Sequence, residues 1–416
     1  MNFDHPVVIV GAGPAGLATA LHLAQLHPSL AADSLILDAA EHPRPKLCGG
    51  GITFHGEEQL ARLHITADVP GFQVTRLLFR LDDEEFETAC PRAMRVIERA
   101  DFDAALAAAA QARGLRLRGN ERVVDVAVDD DGAVVETTRG RYRTRVVVAA
   151  DGANSTVRRK LGLRSTLGVA RLLRVMTPVD PQQSTAWREQ TAVFDFSCVR
   201  HGVQGYVWDF PCYVGGRPFM NRGIFDSRVL ATNGNGHMAH GNGHNGQSHN
   251  GNGTRPQSNG RLPHGSLKQT FAAALDDRGF DLEALNLEGH PVRWFNRTAE
   301  FSRPHVLLVG DAAGVDALFA EGISYALEYG QLAAASIVQA FAQRDFSFAG
   351  YREQLFRHRL SRSLARRAQV ARRLYRHRHP WLWSWLWRAA AVAPGIVNQS
   401  IGAALDVLPP PDIVRR

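Results

Sequence analysis

The stretch Val7-Val8-Ile9-Val10 followed by Gly11-Ala12-Gly13-Pro14-Ala15-Gly16 constrains the fold more than any other part of the chain. Four apolar, mostly β-branched residues make a short buried strand, and the glycines behind them turn the chain sharply with no side chain in the way. An apolar helix then occupies 17–26. In such a unit Gly11 makes the tight turn, Gly13 lets a pyrophosphate approach the backbone, and Gly16 lets the helix pack on the strand. Pro14 and Ala15 complete the turn, and the helix N-terminus offers free N–H groups and a positive dipole end to phosphates. A second strand at 34–37 ends in Asp38, at the interval where a carboxylate accepts hydrogen bonds from an adenosine ribose. A hydropathy window would read the same residues as a membrane span. Their glycines and proline argue against a lipid helix, and no basic signal region or cleavage site precedes them. The segment therefore predicts a dinucleotide-binding strand, turn and helix.

Two later segments repeat the pattern. A buried strand at 146–149 precedes Asp151-Gly152, and an apolar run at 305–309 precedes Gly310-Asp311. Each places a carboxylate at the carboxyl edge of a parallel sheet. Asp311 is suited to a ribityl hydroxyl, and the small residues 312–314 read as the start of a helix facing the pyrophosphate or a flavin ring. Taken singly, either is an ordinary strand-to-helix turn capped by Asp. Three such elements between residues 11 and 311 point to FAD, since nicotinamide alone has no need of the third.

The chain has 416 residues, long enough for roughly two or three domains. Cysteines at 48, 90, 198 and 212 form neither a disulfide framework nor a zinc spacing, which implies a reducing cytoplasm and no metal. The formal charge of +7 is concentrated toward the C-terminus, and no nucleic-acid motif accompanies it.

Cys48 stands directly before Gly49-Gly50-Gly51. That run is either a flexible loop or a backbone that something approaches closely. Tyr206, Trp208 and Phe210 alternate along a strand and so share one face, forming either a flat wall for an apolar chain or a core face packed on helices.

The dinucleotide motifs, with Arg99 in "VIERADFDAAL", Ser155 and Arg158 after Asp151-Gly152, and the segment from Gly310 to Gly322, resemble the FAD-dependent oxidoreductases of hydroxybenzoate-hydroxylase-like fold over residues 1–345. That resemblance puts Arg99 on the flavin side of the dinucleotide; taken alone, Arg99 is a first-turn or surface arginine. Lys46-x-Cys48-Gly49-Gly50 and Tyr206-x-Trp208-x-Phe210-Pro211 are similar to elements of the geranylgeranyl reductase family. The chain departs from that family where Cys212 follows Pro211, and where Ala317 and Ala320 replace an expected proline and glycine. The resemblance implies an FAD-dependent reductase that saturates C=C bonds of a prenyl or similarly apolar substrate. It makes Cys48 the catalytic residue, and Tyr206, Trp208 and Phe210 substrate-binding. Gly11, Gly13, Pro14, Ala15, Gly16, Asp38, Lys46, Gly49, Gly50, Arg99, Asp151, Gly310, Asp311, Gly314, Gly322 and Ile323 would hold the cofactor. With a single GxGxxG, NAD(P)H would reach the flavin transiently as electron donor, an electron-carrier protein being the alternative. A flavin monooxygenase or halogenase acting on an aromatic substrate shares the scaffold, and a flavin binder without turnover is a third reading.

The expected fold class is α/β. A Rossmann-like FAD-binding domain is assembled discontinuously from 1–75, 95–165 and 290–345, and a mixed or antiparallel-sheet substrate domain from 76–94 and 166–289. Residues 231–265, rich in Asn, Gly and His, lack the apolar side chains needed to offset ordering entropy and read as a disordered insertion rather than a metal site. Residues 346–416 form a C-terminal helical region. Phe356, Leu360, Leu364, Ala368, Ala371, Leu374 and Tyr375 keep helical spacing among arginines, followed by Trp381, Trp383, Trp385 and Trp387. That composition suits peripheral contact with an anionic membrane surface or, equally, a helical lid over the substrate pocket. Arg388, Pro394 and Asn398 interrupt the apolar stretch and argue against a full span.

Overall fold

The computed structural model describes residues 3–163, 168–230 and 266–376, together with 384, 385, 387–389 and 392. The insertion expected at 231–265 lies outside the described residues, as do Trp381 and Trp383.

Strands in chain order are β1 (His5–Val10), β2 (Leu35–Leu37), β3 (Gly51–Thr53), β4 (Gly71–Leu81), β5 (Glu84–Ile97), β6 (Arg116–Arg118), β7 (Val123–Val128) and β8 (Ala133–Thr137). They continue as β9 (Arg141–Ala149), β10 (Val169–Pro178), β11 (Thr191–Asp195), β12 (Gly205–Val214), β13 (Arg217–Asp226), β14 (Glu288–Arg293), β15 (Ser302–Arg303) and β16 (Val306–Leu308). Helices are α1 (Pro14–Leu26), α2 (Pro28–Asp33), α3 (Phe54–Arg62), α4 (Arg99–Ala112), α5 (Thr156–Lys160), α6 (Thr185–Arg188), α7 (Leu267–Asp276), α8 (Ile323–Gln343), α9 (Tyr351–Arg357) and α10 (Arg359–Arg376).

The first sheet has the order β15-β16-β9-β1-β2-β6, with β7 and β8 folded onto β9. From β16 to β6 the strands run parallel. Val7, Val8, Ile9, Val146, Val147, Val148 and Leu307 are fully buried, as a parallel sheet covered on both faces requires. β1 lies between β2 and β9, so connections leave it toward opposite faces and open a crevice at its carboxyl end. The turns after β1, β2, β9 and β16 all end in that crevice. Helix α1 packs on α8 closely enough that a Cβ on Gly330 would meet the Ala18 Cβ at 2.6 Å.

The second sheet runs β14-β10-β13-β12-β11-β4-β5-β3 and is antiparallel except where β11 pairs with β4. Alternation divides its faces. Val175, Val207 and Ile224 pack against Phe271 and Leu275 of α7, while Tyr206, Trp208, Phe210 and Phe225 point to the other side and join the main core. An α/β fold with a parallel dinucleotide sheet beside a mostly antiparallel second sheet is the architecture expected from the motifs.

One local expectation is corrected. Residues 312–314 do not begin a helix: a single 3₁₀ turn covers Gly310–Ala312 and α8 starts only at Ile323. Gly314 takes φ +113°, which breaks a helix, and the Asp316 carboxylate accepts from the Leu318 and Phe319 N–H groups at 2.8 and 3.0 Å, holding the chain in a tight loop.

Helix α10 buries Leu360, Leu364, Ala368, Ala371 and Tyr375, so its apolar stripe is consumed by the fold. Among the described residues no helix is long and apolar enough to cross a membrane.

Candidate active site

A cavity of about 500 Å³ begins at the glycine turn after β1 and passes between the sheets. One end is lined by Gly11, Gly13, Pro14, Ala15, Asp38, Arg44 and Asp151, the middle by Lys46, Cys48, Gly49, Gly50, Arg99, Asp311, Gly322 and Ile323, and the far end by Phe79, Phe194, Tyr206, Trp208, Phe210 and Phe319. Nearly every residue singled out from the sequence therefore meets in one space. Gly16, Gly310 and Gly314 stand behind the wall, where packing alone demands glycine: an added Cβ would lie 1.9 Å from the Gly11 carbonyl oxygen, 2.7 Å from the Ala15 Cβ and 2.8 Å from the Phe295 backbone, respectively.

Gly13 differs from its neighbours. Gly11 has φ +105°, and its Cβ would meet the Ala150 oxygen at 2.3 Å, so the fold itself requires glycine there. At Gly13 the backbone is extended, with φ −86°, and a Cβ would meet nothing nearer than an Arg44 nitrogen at 3.7 Å. The open space belongs to whatever occupies the cavity, and a phosphate drawn to the α1 N-terminus fits it. Asp38 supports the same turn: Oδ2 accepts from the Ala12 N–H at 2.8 Å and from Arg44 at 3.3 Å, and Oδ1 accepts from the Ala40 N–H at 3.0 Å. Arg44 also reaches Asp103, which is fully buried and binds Arg99 through both oxygens at 2.8 and 2.9 Å. Arg99 is thus a fixed, buried cation and not a surface residue. Asp151 caps α5, Oδ2 accepting from the Thr156 and Val157 N–H groups, while its residue also lines the cavity.

Charge in the middle of the cavity is tightly arranged. Lys46 Nζ donates to His290 Nε2 at 2.7 Å. Burial, with Lys46 and Arg99 close by, pushes His290 down to about 4, so it is a neutral acceptor at physiological pH. Burial likewise lowers Lys46, against the attraction of Asp311. Asp311 is raised by burial, while Lys46, Arg99 and Arg293 pull in the opposite direction. A carboxylate that no protein group caps among the described hydrogen bonds, facing three cations, is suited to a ligand's hydroxyls.

The Cys48 segment is held by its backbone. The Cys48 carbonyl accepts from Asn221 Nδ2 at 2.9 Å and from Arg174 at 3.1 Å, and Trp208 Nε1 donates to Asn221 Oδ1 at 3.0 Å. Arg174 is itself gripped by Glu288. Gly50, at φ +78°, packs so tightly that a Cβ would lie 2.3 Å from the Ile97 oxygen, and a Cβ on Gly49 would touch the Phe210 ring at 3.4 Å. The triple glycine is therefore an ordered element clasped to β5 and β12. The Cys48 side chain remains half-buried at the cavity and within hydrogen-bonding reach of Arg99.

Sequence reasoning missed the polar rim behind the far end. Arg367 of α10 lines the cavity, 1% exposed, and binds Asp316 and Glu321, each at 2.8 Å. Its guanidinium lies 5.2 Å from the centre of the Tyr325 ring. Burial opposes the Arg367 charge, but Tyr325, Asp316 and Glu321 more than offset this and hold the guanidinium above its ordinary value. Glu321 also accepts from the Thr53 hydroxyl, three residues past Gly50, so α10 is tied to the Cys48 segment. A signal for Arg367 existed: among seven arginines of α10 it alone falls in phase with Leu360, Leu364 and Ala371. Asn221 lies in "NRGIFD" and His290 in β14, neither within a motif that announces its role.

The family model described as FAD binding domain matches residues 4–316. A menaquinone reductase of Mycolicibacterium smegmatis is 28% identical over 84% of this chain and 80% of its own. A digeranylgeranylglycerophospholipid reductase of Methanopyrus kandleri is 32% identical over 51% of this chain and 52% of its own. Among solved structures, a geranylgeranyl bacteriochlorophyll reductase-like protein of Thermoplasma acidophilum superposes with TM-score 0.71 at 21% identity, covering 97% of this chain and 95% of that one. A halogenase solved with FAD gives TM-score 0.66 at 17% identity, over 97% of this chain and 82% of that one. Likenesses of that order establish the fold.

Proposed function

The chain belongs to the FAD binding domain family, and from that premise we propose that it is a reductase saturating C=C bonds of a prenyl or similarly apolar chain. The observation that carries this reading is the continuity of a polar dinucleotide cradle with a chamber of aromatic rings, joined at Cys48 and Arg99. Ring centroids of Phe194 lie 5.3 Å from Tyr206, 5.1 Å from Phe210 and 5.9 Å from Phe319, an aromatic wall suited to an apolar chain. The named reductases among its relatives support the same class of reaction.

An isolated alkene is unpolarised, so its π bond is consumed only when a hydride equivalent adds to one carbon and a proton to the other. FAD, when bound and reduced, supplies the hydride equivalent. This chain's own task is to align the apolar substrate, exclude water and deliver the proton. Cys48 is placed for that delivery, directly or through one water, and Arg99 stands beside the sulfur as a cation once the proton has left. Trp208 serves chiefly to fix the Cys48 carbonyl through Asn221, leaving Tyr206 and Phe210 as substrate wall.

NAD(P)H reaching the flavin transiently is the donor this reading favours, with a small electron-carrier protein as the competing source. A lipid substrate brings the protein to a bilayer surface as a peripheral protein of a reducing compartment. Anaerobic stopped-flow tests the whole reading. Reduced enzyme mixed with a geranylgeranyl lipid reoxidises in wild type with saturation of the chain read by mass, while Cys48→Ala and Cys48→Ser bind and reduce flavin normally but reoxidise about 10²- to 10⁴-fold more slowly. Unchanged reoxidation in both variants removes Cys48 from the mechanism. Reoxidation that strictly requires oxygen replaces the reductase with a monooxygenase or halogenase.

A further inference from the structure

We propose that α10 together with residues 384, 385 and 387–389 forms the face on which the protein rests against an anionic lipid bilayer, beside the apolar end of the cavity. This inference rests on the apolar-substrate reading and names the surface through which that substrate arrives.

Helix α10 contains no Asp or Glu. Its core stripe, Leu360, Leu364, Ala368, Ala371 and Tyr375, is buried, and Arg362, Arg366, Arg373 and Arg376 are exposed on the opposite side. At 100° per residue those four cations fall within about 80° of arc, a single basic stripe along the helix. A solvated surface helix usually mixes both signs of charge. An exposed stripe of one sign fits a partner that is flat, extended and negative.

A second observation, independent of charge, comes from the aromatic rings. Phe194 and Phe79 line the cavity and stack at 5.3 Å, Phe79 stacks on Phe86 at 5.0 Å, and Phe86 meets the Trp387 ring edge-on at 5.8 Å. Trp387 also meets Phe196 at 5.4 Å. The ladder leads from the substrate wall to a stretch that Arg388 pins to the β4–β5 hairpin through Glu84 at 2.7 Å. Two residues before Trp387, Trp385 is 61% exposed. An indole left in water beside an apolar passage is costly in solution and favourable at the headgroup level of a bilayer. Cations for headgroups lie along α10, an indole for the interface lies at Trp385, and the ring ladder ties the Trp387 side of that stretch to the cavity.

Sedimentation with vesicles of phosphatidylcholine plus phosphatidylserine, and with phosphatidylcholine alone, tests this on the full chain with FAD bound. Wild type pellets with the mixed vesicles and is released by salt. The triple variant Arg362→Glu, Arg373→Glu, Arg376→Glu loses at least about tenfold in partitioning, while Trp385→Ser weakens binding to both vesicle types. Wild-type flavin absorbance in the variants shows that the fold is intact. Wild type remaining in the supernatant, or equal pelleting of wild type and both variants, overturns the proposal, as does binding to an RNA duplex that vesicles fail to compete away. Turnover of a detergent-solubilised prenyl substrate is read separately. Turnover without vesicle binding sinks the docking face and leaves the reductase, whereas charge-dependent vesicle binding with no reoxidation by any prenyl lipid sinks the reductase and leaves the face.

Discussion

Replacing Arg367 with Met should destabilise the protein in a manner that reports on charge and not on packing. Methionine fills nearly the same volume on α10, so the loss comes from two carboxylates left without their cation. Arg367 is 1% exposed, Asp316 0% and Glu321 6%, which leaves little solvent to screen them. Removing one partner of a buried pair costs about 3–5 kcal/mol. Asp316 keeps the Leu318 and Phe319 N–H groups and Glu321 keeps the Thr53 hydroxyl, so the low end, about 3 kcal/mol, is expected. With an m-value of about 3 kcal/mol/M, the urea midpoint moves down by about 1 M. Replacing Glu321 with Gln in the same variant removes one of the two uncompensated charges and should recover part of the loss. Urea unfolding of wild type, Arg367→Met and Arg367→Met with Glu321→Gln, all in excess FAD, checks this. A deficit below about 1 kcal/mol, or no recovery in the double variant, refutes the claim that Arg367 neutralises a buried acidic pair.

Other substitutions probe the remaining joints of the site. Gly13→Ala should weaken FAD binding more than about tenfold while the apoprotein melts within about 0.5 kcal/mol of wild type, because only the ligand's space is invaded; flavin titration and calorimetry separate the two. Trp208→Phe keeps the ring wall but drops the hydrogen bond to Asn221, at about 1 kcal/mol in stability, and should speed modification of Cys48 by a thiol reagent as located by peptide mass. Ala320 sits at φ +56°, where a Cβ is strained, so Ala320→Gly should raise stability by about 0.5–1 kcal/mol; a lower melting temperature would show that some contact of the methyl outweighs the strain.

The dinucleotide end of the molecule was legible in the sequence because its constraints are local. Gly11 must turn, Gly16 must admit its own turn's carbonyl, and Asp38 must cap the same turn, all within thirty residues of chain. The far end was not, since its walls come from pairings that no periodicity announces. β11 lies parallel to β4 across more than a hundred residues, and that pairing brings Phe194 onto Phe79. The three glycines after Cys48 left a loop and a close approach both open in the sequence; they line the cavity, and Gly50 answers to the Ile97 carbonyl as well. The helix expected at 312–314 failed on one residue, since Gly314 serves the Phe295 backbone and leaves the helical region to do so. The sequence offered Trp208 as wall or as core and said nothing of its bond to Asn221, because a sequence displays a ring's area and not the reach of its N–H.

The cavity's lining begins at Val10 and is completed by Arg367, 357 positions later (367 − 10). Translation at 5–20 residues per second places roughly 20–70 s between the emergence of those two residues. Until α10 has emerged the chamber has no closing wall, and the Phe79, Phe194 and Phe319 rings, as each is made, face an open side. Closure of the aromatic end is therefore a late event, and a nascent protein halted before α10 is a target for chaperones rather than a slower enzyme.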